Sequence, residues 1–290
     1  IAGQGGGIFI SGKSFDIDNH DHGTYPPDVS ITSTSFLENQ AKQGGDTDNG
    51  GALFINWATV NLEDSTFKGN QGGHAGAIWV DKEVTLNLNS ILFDSNSARF
   101  HGGAIMVLYN SNINMRSSTF LNNAAKQFGG AILINSMAPN DPKIRVSVLH
   151  LLGGQNKFEG NSGNPGCQTI CRRGDTSDGS GSAVNSKVFF DICPSNTWYN
   201  EDLLPTGTDV IKGIGIDFEG CPQSCPDNTL APGFAPRSST DVTTVCPFCP
   251  GGSTYEDDGQ NPAIVRGCTA CSPGTVALSG DRSCVNCGIQ

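Results

Sequence analysis

Apolar and polar residues alternate in short bursts along the first two thirds of the chain, and the bursts return at a near-constant spacing. The pairs Val29/Ile31, Val60/Leu62, Leu86/Leu88 and Ile113/Met115 stand seven and five residues ahead of a phenylalanine. A period of two predicts strands with one buried face. Each Phe opens the motif Phe-x-x-Asn: Phe36/Asn39, Phe67/Asn70, Phe93/Asn96, Phe120/Asn123 and Phe158/Asn161, with successive Phe spacings of 31, 26, 27 and 38. A second strand-like segment, Gly-Gly-Ala-Ile or a close variant, interleaves with it at Gly50–Leu53, Ala75–Ile78, Gly102–Ile105 and Gly129–Ile132, spaced 25, 27 and 27. Gly5–Ile8 reads as an earlier copy and Gly181–Val184 as a degenerate later one. Two interleaved motifs sharing one period establish a tandem repeat of roughly 27 residues.

A unit this short cannot bury its own apolar face, so copies must stack. Stacking strand on strand predicts an all-β parallel β-helix (a solenoid) that rises about 4.8 Å per coil. The Phe side chains then form an internal aromatic column. The Asn residues fall at turns, where an amide bonds the backbone of neighbouring coils and tolerates left-handed geometry. These ten positions read as architecture.

The Gly-Gly-Ala-Ile strands divide into two faces. Ile8/Ile10, Leu53/Ile55, Ile78/Val80, Ile105/Val107 and Ile132/Ile134 are almost all β-branched, which suits an interior. The opposite face carries Phe9, Phe54, Trp79, Met106 and Leu133, followed two residues on by Ser11, Asn56, Asp81, Leu108 and Asn135. These mostly polar followers predict that the second face points outward, as an apolar stripe along the rod that is either an interface or covered by an insertion such as residues 12–28 or 136–143.

Over roughly residues 5–190 the paired motifs resemble the passenger repeats of chlamydial polymorphic membrane proteins and similar β-helix regions of surface proteins. The resemblance implies a right-handed β-helix at a cell surface, with adhesive or structural duties and no enzyme activity.

Composition changes this picture at the C-terminal end. All 11 cysteines lie at or after Cys167, which divides the chain into a β-helix over residues 1–220 and a small disulfide-rich module over 221–290. Cys167, Cys171 and Cys193, with Cys221 as a candidate fourth, are expected to pin the last coil and its loop. Beyond them stand Cys221/Cys225, Cys246/Cys249, Cys268/Cys271 and Cys284/Cys287. This spacing resembles ephrin-receptor-type and TNF-receptor-like cysteine-rich repeats. It is also zinc-ribbon spacing, but an acidic, Gly/Ser/Thr-rich chain favours disulfides and an extracellular or cell-surface location. The expected linkage joins the second Cys of each pair to the first of the next: Cys225–Cys246, Cys249–Cys268 and Cys271–Cys284. It leaves Cys287 to a partner beyond Gln290. The chain opens almost at once on a Gly-rich turn, without a leader pattern, as the interior of a longer precursor would.

The net charge of −11 and a longest basic run of Arg172-Arg173 exclude nucleic acid as a partner. No apolar run reaches membrane-helix length. A β-helix enzyme needs carboxylates and bases converging on neighbouring coils. The cluster Asp16, Asp18, His20, Asp21 and His22 lies in one loop and lacks the Gly of a calcium loop. His74 and His101 stand one period apart without an acidic partner and read as surface-turn residues. Arg173-Gly174-Asp175 is an integrin-type tripeptide in a predicted loop. No catalytic residue, metal ligand or cofactor is assigned. The expected function is an extracellular structural or adhesive protein that associates laterally or end to end, into a fibre, or with another surface protein. The alternative is a β-helix that binds or cleaves polysaccharide, with Trp79 and Phe54 as sugar platforms.

Overall fold

The computed structural model describes residues 6–12, 26–41, 49–136, 147–153, 155–174 and 186–193, followed by the stretches 197–198, 211–215, 217–219, 221, 223–224, 235–236, 251–257, 265–273, 275–277 and 284–286. The chain divides into two compact units, Ile1–Phe189 with Leu203–Glu219, and Phe190–Asp202 with Gly220–Gln290.

The first unit is a parallel β-helix. Each full coil contributes a strand to each of three main sheets. The first sheet stacks Ile8–Ser11, Leu53–Asn56, Ile78–Val80, Ile105–Leu108, Ile132–Ser136 and Ile170–Gly174. The second stacks Asp28–Thr32, Thr59–Glu63, Thr85–Asn89, Asn112–Arg116, Val148–Leu152 and Lys187–Phe190. The third stacks Ser35–Leu37, Thr66–Lys68, Leu92–Asp94, Thr119–Leu121 and Lys157–Glu159. A narrow fourth sheet of Gln71–Gly72, Ser97–Ala98 and Ala124–Ala125 carries each coil back towards the first.

Register follows the sequence repeat residue for residue. Phe36, Phe67, Phe93, Phe120 and Phe158 are successive partners in the third sheet. Their rings stack with centroids 4.5–5.0 Å apart. In the second sheet the alternation is visible in burial: Val60, Leu62, Leu86, Leu88, Ile113 and Met115 are buried, while the residues between them are partly exposed. The interior is completed by the β-branched face of the first sheet, from Ile55 to Ile134.

The recurring Asn residues form a second column beside the Phe rings, running from Asn39 to Asn161. Asn70, Asn96 and Asn123, in the middle, are fully buried. Each Oδ1 accepts both the backbone N–H and the Nδ2–H of the preceding Asn, as Asn96 does from Asn70 at 3.0 and 2.9 Å. Each Nδ2 also donates to a carbonyl of the preceding coil, as Asn96 does to Phe67 at 2.9 Å. Every polar group is engaged, which is what makes a buried amide tolerable.

The two ends of the column differ from its middle. Asn39 donates its backbone N–H and its Nδ2–H to Asn70, both at 2.9 Å, but is only half-buried. Its strand neighbour Ser35–Leu37 is the edge of the third sheet, so fewer atoms lie over it. Asn161 accepts the two donors of Asn123 at 3.1 and 3.0 Å and donates to the Phe120 carbonyl at 3.0 Å. It lies where parallel stacking ends and is buried slightly less than the three central amides.

The turn geometry corrects one expectation. The left-handed conformation, expected at Asn39, Asn70, Asn96, Asn123 and Asn161, falls instead one position earlier in each coil. It is found at Glu38, Gly69, Ser95, Asn122 and Gly160, with φ between 52° and 65°. The chain bends at that preceding residue, which leaves the Asn backbone N–H and amide aimed along the column at the next coil.

The second Gly of each Gly-Gly-Ala-Ile motif has a steric cause. A Cβ on Gly76 would stand 1.9 Å from the carbonyl oxygen of Gly103 and 2.7 Å from the nitrogen of Ser97; Gly51 and Gly103 are equally crowded. Here the narrow sheet lies directly on the start of the first sheet, backbone on backbone.

At the C-terminal end parallel stacking stops. Ile211–Ile214 pairs antiparallel with Ile170–Gly174, and Phe218–Glu219 pairs antiparallel with Lys157–Glu159, so that Phe218 closes the aromatic column 4.5 Å from Phe158. The second unit contains short antiparallel pairs, Ser253–Asp257 with Val265–Ala270 and Thr275–Val276 with Val285–Asn286. Cys271–Cys284 is bonded as the spacing anticipates. Cys225, Cys246, Cys249 and Cys287 lie outside the described residues, as do the loop Asp16–His22 and the insertion at 137–146.

Candidate functional site

The outward stripe is the first candidate, and the structure corrects it. Phe54, Trp79, Met106 and Leu133 are buried at 8% exposure or less; only Phe9, on the first strand, is open at 40%. They are in register along the first sheet, Phe9 to Phe54 to Trp79 and Met106 to Leu133. They face away from the Ile/Val core, and among the described residues it is the repeat itself that packs over them. The turn that leads into each Gly-Gly-Ala-Ile strand folds back over the sheet. Its His74 ring meets Trp79 edge-on at 5.5 Å, and His74, His101 and Phe128 form a column with centroids 5.6 and 5.4 Å apart. Tyr109 and Phe128 pack on the same cluster. Residues 13–25 and 137–146, the bulk of the two suspected insertions, lie outside the described residues.

The reason is legible in hindsight. A parallel sheet covered on both faces reads as a continuous apolar run, and Ile78-Trp79-Val80 and Ile105-Met106-Val107-Leu108 are such runs. Asn135, taken as a mark of the outside, is itself buried. The burial of Trp79 and Phe54 also removes them as sugar platforms.

Cys167 and Cys171 complete the cluster. Cys171 pairs with Leu133 and so continues the Phe9–Leu133 column, and Cys167 is bonded to it from the turn. In the last coil a disulfide stands where earlier coils use ring packing. Cys221 is disulfide-bonded as well.

His74 and His101 do come together, as their spacing predicts, but within this cluster rather than on a surface turn; His101 is 8% exposed. Arg173 and Gly174 lie in a strand paired on both sides rather than in a loop, and Asp175 is outside the described residues. Among the described residues no group of three His, Cys, Asp or Glu side chains is placed to hold a metal ion.

Among the described residues few titratable groups are perturbed. Burial pushes the Asp81 carboxyl above its usual range, and neighbouring Lys82 only partly offsets this. Asp94 is held below the usual carboxylate range by a 2.8 Å bond from Lys68 and by the Ser95 hydroxyl. Asp81 directly follows the first-sheet strand Ile78–Val80 and Asp94 ends the third-sheet strand Leu92–Asp94; the two share no partner and form no acid/base pair with each other.

Among the described residues two outward surfaces stand out. On the second sheet Asn114 donates to Asn87 (2.8 Å), Asn87 to Asn61 (2.7 Å) and Asn61 to Asp28 (2.9 Å), a row of amides fixed in one orientation. Over the narrow sheet runs a groove of about 720 Å³, lined by Gln40, Gln71, Ser97, Arg99, Lys126 and small residues between them. Sequence reasoning missed this groove. Its only sequence mark is the run of Gly and Ala at the returning edge of each coil, which also reads as plain turn composition.

Among the described residues no helix is long and apolar enough to cross a membrane. No curated protein and no solved structure matches the chain. A family model described as Chlamydia polymorphic membrane protein (Chlamydia_PMP) repeat matches residues 117–135. That stretch holds Phe120, Asn123 and Gly129–Ile132, one complete pair of the two motifs. The chain thus carries a repeat resembling that of the chlamydial polymorphic membrane proteins, set in a stack of parallel coils.

Proposed function

We propose that this protein is an extracellular, non-catalytic surface protein with an adhesive or structural role, and that its β-helix associates with a second copy. One observation carries the reading: the side chains that recur from coil to coil are consumed by the stack. The Asn amides bond one another, the Phe rings fill the interior, and the second Gly is required by backbone contact. The matched repeat, of a family whose description names a membrane protein, supports a surface location, and the disulfides suit an oxidising compartment.

The surface we assign to this association is the outer side of the first described coil. Among the described residues Ile8–Ser11, Asp28–Thr32 and Ser35–Leu37 are edge strands, with Ile8, Phe9 and Leu37 exposed. Exposed apolar edges template further pairing, whereas short strands blunt an edge; the other end of the stack finishes in short antiparallel strands. Sedimentation equilibrium tests this: a concentration-dependent dimer that Phe9→Lys abolishes is expected, and monomers at every concentration refute association. Release of reducing ends from any polysaccharide by the purified chain refutes the non-catalytic reading.

A further inference from the structure

We propose that the groove over the narrow sheet binds an extended anionic polysaccharide lying along the stack, with one sugar per coil. The proposal rests on the adhesive reading and gives it a ligand class.

Four successive coils line the groove in register: Gln40 pairs with Gln71, Gln71 with Ser97, and Ser97 with Ala124. The floor is low because the strands carry Gly72, Ala98 and Ala125. Exposed Gln40 and Gln71 supply amide donors and acceptors along one wall. Arg99 and Lys126 directly follow their strands and are exposed, so one coil, about 4.8 Å, separates the two cations.

Charge selects the ligand. The chain has 28 acidic and 17 basic residues, yet the described residues that line the groove include two cations and no carboxylate. Among the described residues neither Arg99 nor Lys126 is ion-paired within the chain. An acidic protein repels polyanions overall, so a local cationic groove of this kind is a specific contact rather than a general one.

Spacing selects between an acidic glycan and an acidic peptide. The lining residues repeat at the inter-strand distance of about 4.8 Å, whereas an extended peptide repeats at about 3.3 Å per residue and drifts out of step within two coils. A linear glycan with a charge on every sugar keeps pace with the coils. The floor strands are already paired to one another, so a peptide gains no main-chain ladder there.

Calorimetric titration with oligogalacturonate, dextran and poly-glutamate tests the proposal on the full chain. Oligogalacturonate is expected to bind, to weaken with added salt, and to bind R99A/K126A about tenfold more weakly; K82A/R116A, which removes cations elsewhere, retains wild-type affinity. Equal binding of dextran, equal or tighter binding of poly-glutamate, no loss in R99A/K126A, or the same loss in K82A/R116A each overturns it. Cell-adhesion assays separate the two readings. Adhesion that R99A/K126A leaves intact overturns the groove and keeps the adhesive role. Galacturonate binding without adhesion to any cell surface keeps the groove and overturns the role.

Discussion

Asn96 accepts the Nδ2–H of Asn70 at 2.9 Å and donates its own Nδ2–H to the Oδ1 of Asn123 at 2.9 Å, so a single side chain ties three coils together. It also takes the Asn70 backbone N–H and caps the Phe67 carbonyl. Replacing it leaves buried donors and acceptors on both sides without partners. Asn96→Ala is therefore expected to cost about 2–3 kcal/mol, from the penalty for unpaired buried groups. Urea unfolding checks this. Asn39→Ala, at the half-buried end of the same column, should cost clearly less, as should Asn61→Ala on the partly exposed outer row.

Phe93 lies between the rings of Phe67 and Phe120 at 5.0 and 4.5 Å and is fully buried. Phe93→Ala opens a cavity in the middle of a column that cannot collapse, because both neighbours are held in register by the sheet. A loss of about 3–5 kcal/mol is expected. Thermal unfolding followed by far-UV circular dichroism reads it directly.

The two kinds of glycine should respond differently. Gly69 has φ +65°, and a Cβ there meets nothing closer than 3.4 Å; Ser95 and Asn122 already occupy its column. Gly69→Ala should cost about 1 kcal/mol, the price of a left-handed side-chain-bearing residue. Gly76→Ala drives a Cβ into two backbones and should cost more than Phe93→Ala or abolish folding. Equal effects of the two substitutions would show that the narrow sheet does not touch the first sheet at Gly76.

Trp79 is the residue on which exposed and covered readings of the outer stripe differ most. Its ring packs on Phe54 and His74, and its buried Nε1 has no hydrogen-bond acceptor. Trp79→Ala is expected to destabilise the fold by about 3 kcal/mol or more. Trp79→Phe keeps the ring column of Phe9 and Phe54 while removing the unpaired N–H, so it should be nearly neutral. An exposed Trp would show little effect in either variant.

Two carboxylates give the acid limb of stability opposite contributions. Asp94 is held low by Lys68, so its contribution is present above the ordinary value of 3.8 and is lost as pH falls below it. Asp94→Asn should flatten stability against pH in that range. Asp81 is raised by burial, so its ionised form opposes folding above its shifted value and the cost fades as pH falls. Asp81→Asn is expected to raise the midpoint of unfolding at neutral pH; an unchanged or lower midpoint contradicts the burial argument.

Much of this was legible because a solenoid repeats its local rules. The spacing of Val60, Leu62, Phe67 and Asn70 identifies one coil, and recurrence 26 residues later at Leu86, Leu88, Phe93 and Asn96 identifies its neighbour. In-register stacking follows, since any slip would turn every apolar side chain to the wrong face. What the repeat hid is that its copies are not equivalent: among the described residues, Asn39 and Asn161 share the motif of Asn96 but have a coil's amide on one side only. The Cys271–Cys284 bond was legible for a similar reason to the coil, from regular pair spacing. Cys167–Cys171 was not: its two members are four residues apart, and their closeness depends on the turn that folds back over Leu133.

The sequence alone determined the coil: its length, its buried Phe and Asn columns, and the faces of its second and third sheets. Those properties depend on residues close in sequence and on one repeated spacing. Tertiary structure decided what lies over each surface. It placed His74, His101 and Phe128 on the outer stripe and closed that surface. It also left Gly72, Ala98, Arg99 and Lys126 as an open groove. Whether a face is covered depends on how far a turn from the next coil reaches, and a strand's own alternation carries no record of that distance.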